Sequence, residues 1–242
     1  MMVSNFRLTS PDKKYKKFYF LHIPKTGGRY LNEIAIHPMS GELNTIGINW
    51  LNSKDHDGWV KEIDEDTYTV CILRDPVKLA CSYFLFFYDY GKLQKLNLKN
   101  YNILREVRIF FFEFLKTDLW FHNFQSRYLT EDFSILPISL DLGPAILDKD
   151  IINEKLDSIS FLFTQDYLES NPLDIANKIF NDIGILHSEI NITKTDEFRQ
   201  ISSKILYDSL SKDEIDLISS YFEFDYDIYN LVRSREINNT DV

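Results

Sequence analysis

FYFLHIPKTGGR, residues 18–29, decides how this 242-residue chain is read. Phe18 to Ile23 form a short apolar and aromatic run stopped by Pro24, the composition of a buried strand. Lys25 and Thr26 follow, then Gly27-Gly28 and a helix-compatible stretch, Arg29 to Ile36. The order is strand, glycine turn, helix. Glycines let the backbone turn back on itself, so that consecutive N–H groups and the helix N-terminus point at one anion. Lys25 supplies a full positive charge and Thr26 a hydroxyl, which together make a phosphate cradle. The lysine precedes the glycines, so the GxxxxGK[ST] spacing of an NTPase loop is absent and an ordinary nucleoside triphosphatase is disfavoured. For this segment alone, the structural alternative is a plain glycine turn after a buried strand.

The same switch recurs downstream. Tyr68 to Leu73 (YTVCIL) is rich in β-formers and ends at Arg74-Asp75-Pro76. Asp75 is a good N-cap and Pro76 a good first helical residue, so a helix is expected from Pro76 to about Tyr88. Arg74 leaves the strand end and Ser82 lies about two turns into the helix, so an arginine fork and a hydroxyl converge on a second phosphate. Two anion sites at neighbouring strand ends suit a doubly phosphorylated nucleotide. Taken alone, Arg-Asp-Pro is also an ordinary helix start.

Working outward, helices are expected at Tyr101 to Lys116, Leu119 to Leu129, Pro172 to Asp182 and Asp213 to Tyr221, with a short strand at Phe161 to Thr164. Ser134 to Gly143 and Ile185 to Asp196 read as loops. Strands separated by helices imply an α/β fold, a parallel sheet with helices on both faces and ligands at the carboxyl ends of the strands. No linker or repeat divides the chain, so residues 1–242 read as a single domain, with 1–17 and 236–242 as flexible ends. At 44% hydrophobic and 26% charged residues, the composition excludes intrinsic disorder. Cys71 and Cys81 sit in apolar settings, as core thiols, and no metal-ligand cluster appears. The longest apolar run, around Tyr83 to Tyr88, is far short of the roughly 20 residues that span a bilayer. With no apolar leader at the N-terminus, a cytoplasmic location is expected. The net charge of -10 argues against a general nucleic-acid binder, and it divides unevenly: residues 1–130 carry +4 and residues 131–242 carry -14. An anionic ligand belongs on the first half.

HIPKTGG followed by RDPV and then Ser82 in the helix resembles the sulfotransferases that use 3′-phosphoadenosine 5′-phosphosulfate (PAPS). The resemblance is to the heparan sulfate 2-O and 6-O sulfotransferase group and its bacterial relatives. It implies a P-loop nucleoside-triphosphate-hydrolase-like (sulfotransferase) architecture, with Lys25, Thr26, Gly27, Gly28 and Arg29 around the 5′-phosphosulfate and Arg74 and Ser82 on the 3′-phosphate. Weaker likenesses follow: His122 to Leu129 (HNFQSRYL) to the family's NxQTRxL helix, Phe161 to Gln165 to its GLTE strand end, Asn191 to Lys194 to a segment near the nucleotide, and Asp225 to Leu231 to its terminal helix. On that basis Gln125 and Arg127 are candidate substrate-binding residues, although an amphipathic helix burying Phe121, Phe124, Tyr128 and Leu129 needs no function. The chain departs from the family where Arg29-Tyr30 replaces the usual hydroxyl residues after the glycines, and where Gln165 replaces a glutamate.

The implied activity is transfer of a sulfuryl group from PAPS to an acceptor hydroxyl, carbohydrate in nature, leaving adenosine 3′,5′-bisphosphate and needing no metal. Lys25 neutralises the leaving phosphate, and a histidine is the natural general base. Of His22, His37, His56, His122 and His187, the strand residue His22 is expected to point away from the nucleotide. His56, in the polar segment Lys54 to Gly58, stands where relatives carry their base; a solvated loop histidine is the alternative. The acidic second half favours a neutral or lightly charged saccharide over a polyanion. Two rivals remain open, a nucleotide-dependent kinase on the same fold and a non-catalytic nucleotide-binding or scaffold protein.

Overall fold

The computed structural model describes residues 6–8, 15–36, 49–52, 63–87, 96–130, 147–187 and 197–240. Its centre is a parallel four-stranded sheet made of β2 (Lys17–Leu21), β3 (Asn49–Asn52), β4 (Thr67–Leu73) and β5 (Phe161–Thr164), in the order β3-β2-β4-β5. Tyr19 aligns with Thr69 across the β2–β4 pair, and Cys71 with Leu162 across β4–β5. A separate antiparallel pair joins β1 (Phe6–Leu8) to β6 (Ile185–His187).

Every residue of β4 is buried, which is how a strand reads when helices cover both faces of a parallel sheet. Alternation sorts its side chains: Tyr68, Val70 and Ile72 join one core and Cys71 and Leu73 the other. The first core packs against α1 (Gly28–Leu31), which continues as a π-turn over Asn32–Ile36, and against α7 (Pro172–Asp182). Between β5 and α7 lies the short α6 (Gln165–Ser170). The second core is larger and takes in α2 (Pro76–Phe87), α3 (Tyr101–Thr117), α4 (Phe124–Thr130), α5 (Lys149–Ser158), α8 (Glu197–Asp208), α9 (Lys212–Ser219) and α10 (Glu223–Thr240). The helices after the neighbouring strands β2 and β4 thus leave to opposite faces, which opens a crevice beyond their carboxyl ends.

Local signals account for most boundaries. Asp75 accepts the N–H of Lys78 at 2.9 Å and so caps α2, whose first residue is Pro76. Asn100 caps α3, and Ser211 with Glu214 forms a capping box on α9. The expected helix Leu119–Leu129 is instead a 3₁₀ turn, Leu119–Phe121, broken from α4 at Asn123, whose φ of 52° is left-handed. Ile185–His187, expected within a loop, is the strand β6. The helix α10 continues through the expected tail to Thr240.

Candidate functional site

At the end of β2 the chain makes two left-handed steps, Lys25 at φ 71° and Gly27 at φ 103°. The second is a glycine position, and it stands where α1 begins without a side-chain cap. Gly28 is required for a different reason: a Cβ there would fall 2.2 Å from the His22 ring. The first turn of a helix has backbone N–H groups with no partner within the helix, and here Gly27, Gly28 and Arg29 line a cavity of about 260 Å³. The same cavity is lined by Lys25, Arg74 and Ser82. Two sequence segments about fifty residues apart therefore meet at one concave surface carrying Lys25, Arg29 and Arg74.

Arg74 joins the two directly, its Nη1 donating to the Lys25 carbonyl at 2.8 Å. Its Nε is buried and has no hydrogen-bond partner among the described residues. Burial lowers the Arg74 pKa from the usual arginine value, and Glu169 leads the neighbours that pull it back. Arginine remains charged under such treatment, so an incompletely satisfied cation sits in the wall of the cavity. Lys25 rests its Nζ 4.0 Å from the centroid of the Phe86 ring, and both residues line the cavity. A larger cavity of about 610 Å³ lies by α9 and α10, but Asp216, Glu223 and Asp227 line it against Lys149 alone, the wrong balance for an anion.

Three of the expected site residues stand elsewhere. Thr26 is fully buried, and its hydroxyl donates to the Ile23 carbonyl at 2.8 Å, closing the loop from behind. Gln125 is also wholly buried, with its side chain on the backbone of Arg74. Arg127, 2% exposed, donates from Nη1 to the Trp120 carbonyl at 2.7 Å. His56, His37 and Asn191–Lys194 lie outside the described residues. His122 places Nε2 2.8 Å from the Leu115 carbonyl and stacks on Tyr221.

His22 was expected to face away, yet it lines the cavity. The period of two along β2 explains this: His22 falls on the side of Phe20, with the rings stacked 5.1 Å apart, and α1 covers that side. Gln165, Phe86, Phe87 and Ser203, which belong to neither the glycine-turn motif nor the Arg-Asp-Pro motif with its Ser82, also line the cavity. Ser203 comes from α8, far along the chain, and no local pattern marks it. Gln165 donates from Nε2 to Glu169, and its buried Oε1 has no partner among the described residues.

Behind the site, α4 and α10 cap one another. Asp225, fully buried, accepts the N–H of Gln125 at 3.0 Å and both the N–H and hydroxyl of Ser126, at 2.7 and 2.6 Å. Asn123 Oδ1 accepts the N–H of Phe224 at 2.9 Å and of Asp225 at 3.3 Å. Burial pushes the Asp225 carboxyl up to about 6, against the pull of those hydrogen bonds. Burial also raises both cysteine thiols, so neither is poised as a nucleophile. Among the described residues no group of three or more His, Cys, Asp or Glu is placed to hold a metal ion, and no helix is long and apolar enough to cross a membrane. No protein-family profile, curated protein or solved structure matches the chain.

Proposed function

We propose that the chain is a PAPS-dependent sulfotransferase acting on a carbohydrate hydroxyl, with the cavity at the ends of β2 and β4 as its nucleotide site. One observation carries this reading: Lys25, Gly27, Gly28, Arg29, Arg74 and Ser82, chosen from two separate motifs, line the same cavity. The buried Arg74 Nε, which has no partner among the described residues, fits a phosphate-bearing group. On this reading the P-loop-like sulfotransferase architecture is the finer description of the α/β fold.

PAPS supplies the sulfuryl group when bound. Lys25, Arg29 and the amides at the start of α1 hold the 5′ end, and Arg74 with Ser82 holds the 3′-phosphate. The acceptor oxygen bonds to sulfur as the bond from sulfur to the 5′-phosphate oxygen breaks. Lys25 offsets the charge that builds on that phosphate, and the acceptor proton goes to a base, assigned to His56. Positioning and electrostatics of this kind need no metal. The -14 balance of residues 131–242 favours a neutral or lightly charged saccharide.

Incubation with labelled PAPS and a panel of saccharides tests the reading, with transfer to a neutral acceptor expected and unchanged by EDTA. Adenosine 3′,5′-bisphosphate should raise the melting temperature well above the effect of ATP with magnesium. Equal stabilisation by the two nucleotides would sink the assignment, and restoration by magnesium of activity lost to EDTA would favour a kinase.

A further inference from the structure

We infer that Gln125 is a positioning residue of the anion site, holding the Arg74 backbone so that the guanidinium is aimed at the cradle. This rests on the reading of that cavity as a phosphate site. The strand β4 ends at Leu73, and Pro76 has no N–H with which to continue a ladder. Arg74 therefore leaves the sheet with one donor and one acceptor to satisfy away from water. The Gln125 carboxamide takes both: Oε1 accepts the Arg74 N–H at 2.8 Å, and Nε2 donates to the Arg74 carbonyl at 2.8 Å. A side chain thus does what a neighbouring strand would do, one residue beyond the sheet.

Both ends of the carboxamide are engaged and the residue has no exposed surface, so Gln125 has nothing left to offer a ligand directly. The side chain also lies against Asp225, and its influence on the cavity runs through Arg74, whose Nη1 reaches the Lys25 carbonyl. The backbone of Gln125 is itself held by Asp225. A continuous chain of hydrogen bonds thereby links α10, α4, the end of β4 and the glycine loop. The residue type is demanding: a donor and an acceptor are needed on one planar group at this reach. Glutamate lacks the donor and methionine lacks both.

The test measures adenosine 3′,5′-bisphosphate binding by calorimetry in Gln125→Met, Arg74→Ala and the double variant, at a temperature where circular dichroism shows each to be folded. Gln125→Met keeps the volume and removes both bonds; it should weaken binding by roughly tenfold, the worth of about one net hydrogen bond to a charged residue's mount. In the Arg74→Ala background the same change should cost less than about twofold, because its effect passes through the missing guanidinium. Should Gln125→Met not fold, Gln125→Leu, which also removes both bonds to Arg74, enters the same cycle with the same expectation. Equal losses in both backgrounds, or full affinity in the folded single variant, would overturn the inference alone. Failure of the unaltered protein to bind the bisphosphate would overturn the nucleotide reading and this inference with it.

Discussion

Two helix starts at the same end of the sheet are treated in opposite ways. At α4 the first-turn amides of Gln125 and Ser126 are plugged by the buried Asp225 carboxylate, while Asn123 returns the favour to α10. At α1 the turn begins with Gly27, has no side-chain cap and lines a cavity beside Lys25, Arg29 and Arg74. The physics is shared, since an N-terminal turn presents donors and a partial positive charge. What differs is where the acceptor comes from. At α4 the chain supplies it, whereas the α1 turn faces a cavity, where on the proposed reading a bound phosphate would supply it.

Removing the plug should have the largest effect on folding. Asp225→Ala leaves buried donors at Gln125 and Ser126 without an acceptor, at a cost of about 3 kcal/mol or more, which thermal unfolding would register as a fall of roughly 6 °C or more. A neutral outcome would mean that the α4 end is not held by its carboxylate and that the contrast fails. Arg74→Ala probes the open end, and should weaken adenosine 3′,5′-bisphosphate by about 30- to 150-fold, equivalent to about 2 to 3 kcal/mol. Gly28→Ala attacks the same end through space alone, pressing on His22 and costing about 1 to 3 kcal/mol of stability, with bisphosphate binding lost as the loop shifts.

Acid sharpens the contrast further. The folded-state pKa of Asp225, near 6, lies above its ordinary value, so folding favours the protonated form. Its contribution is fully present below the unfolded pKa of about 3.9 and fades as pH rises toward 6, by at most about 1.4 kcal/mol per pH unit. The stability of the unaltered protein minus that of Asp225→Asn, followed by denaturant titration at several pH values, should therefore decrease from pH 4 to 6 and then level. A difference that increases over that window would show the carboxylate to be favoured in its charged form. The smallest effect is expected at Lys204, whose exposed i,i+4 pair with Asp208 lies on the helix that brings Ser203 to the cavity. Lys204→Ala should change stability by no more than about 0.5 kcal/mol and leave bisphosphate affinity as it was.

Legibility in the sequence followed the range of the interactions. The β2 turn, the β4 to α2 switch with its Asp75 cap and the α7 helix are written in neighbouring residues, because propensity, capping and glycine requirements act over a few positions. The helix break at Asn123 was not legible in the same way, since its left-handed backbone is matched by bonds to Phe224 and Asp225, about a hundred residues away. Ile185–His187 lacked a strand signal because three residues paired with Phe6–Leu8 carry too little pattern to stand out from a loop.

By itself the sequence determined that strand, turn and helix would follow one another twice, that the turns would carry Lys25, Gly27, Gly28 and Arg74, and that the basic charge would lie in the first half. Only the tertiary structure decided that β2 and β4 are neighbours, that Arg74 reaches Lys25, and that His22 and Ser203 share their cavity. It also decided that Gln125 and Arg127 turn inward to backbone carbonyls. The reason lies in burial: a polar side chain removed from water takes whichever partner the packing brings within reach, and that partner is set by contacts across the fold rather than along the chain.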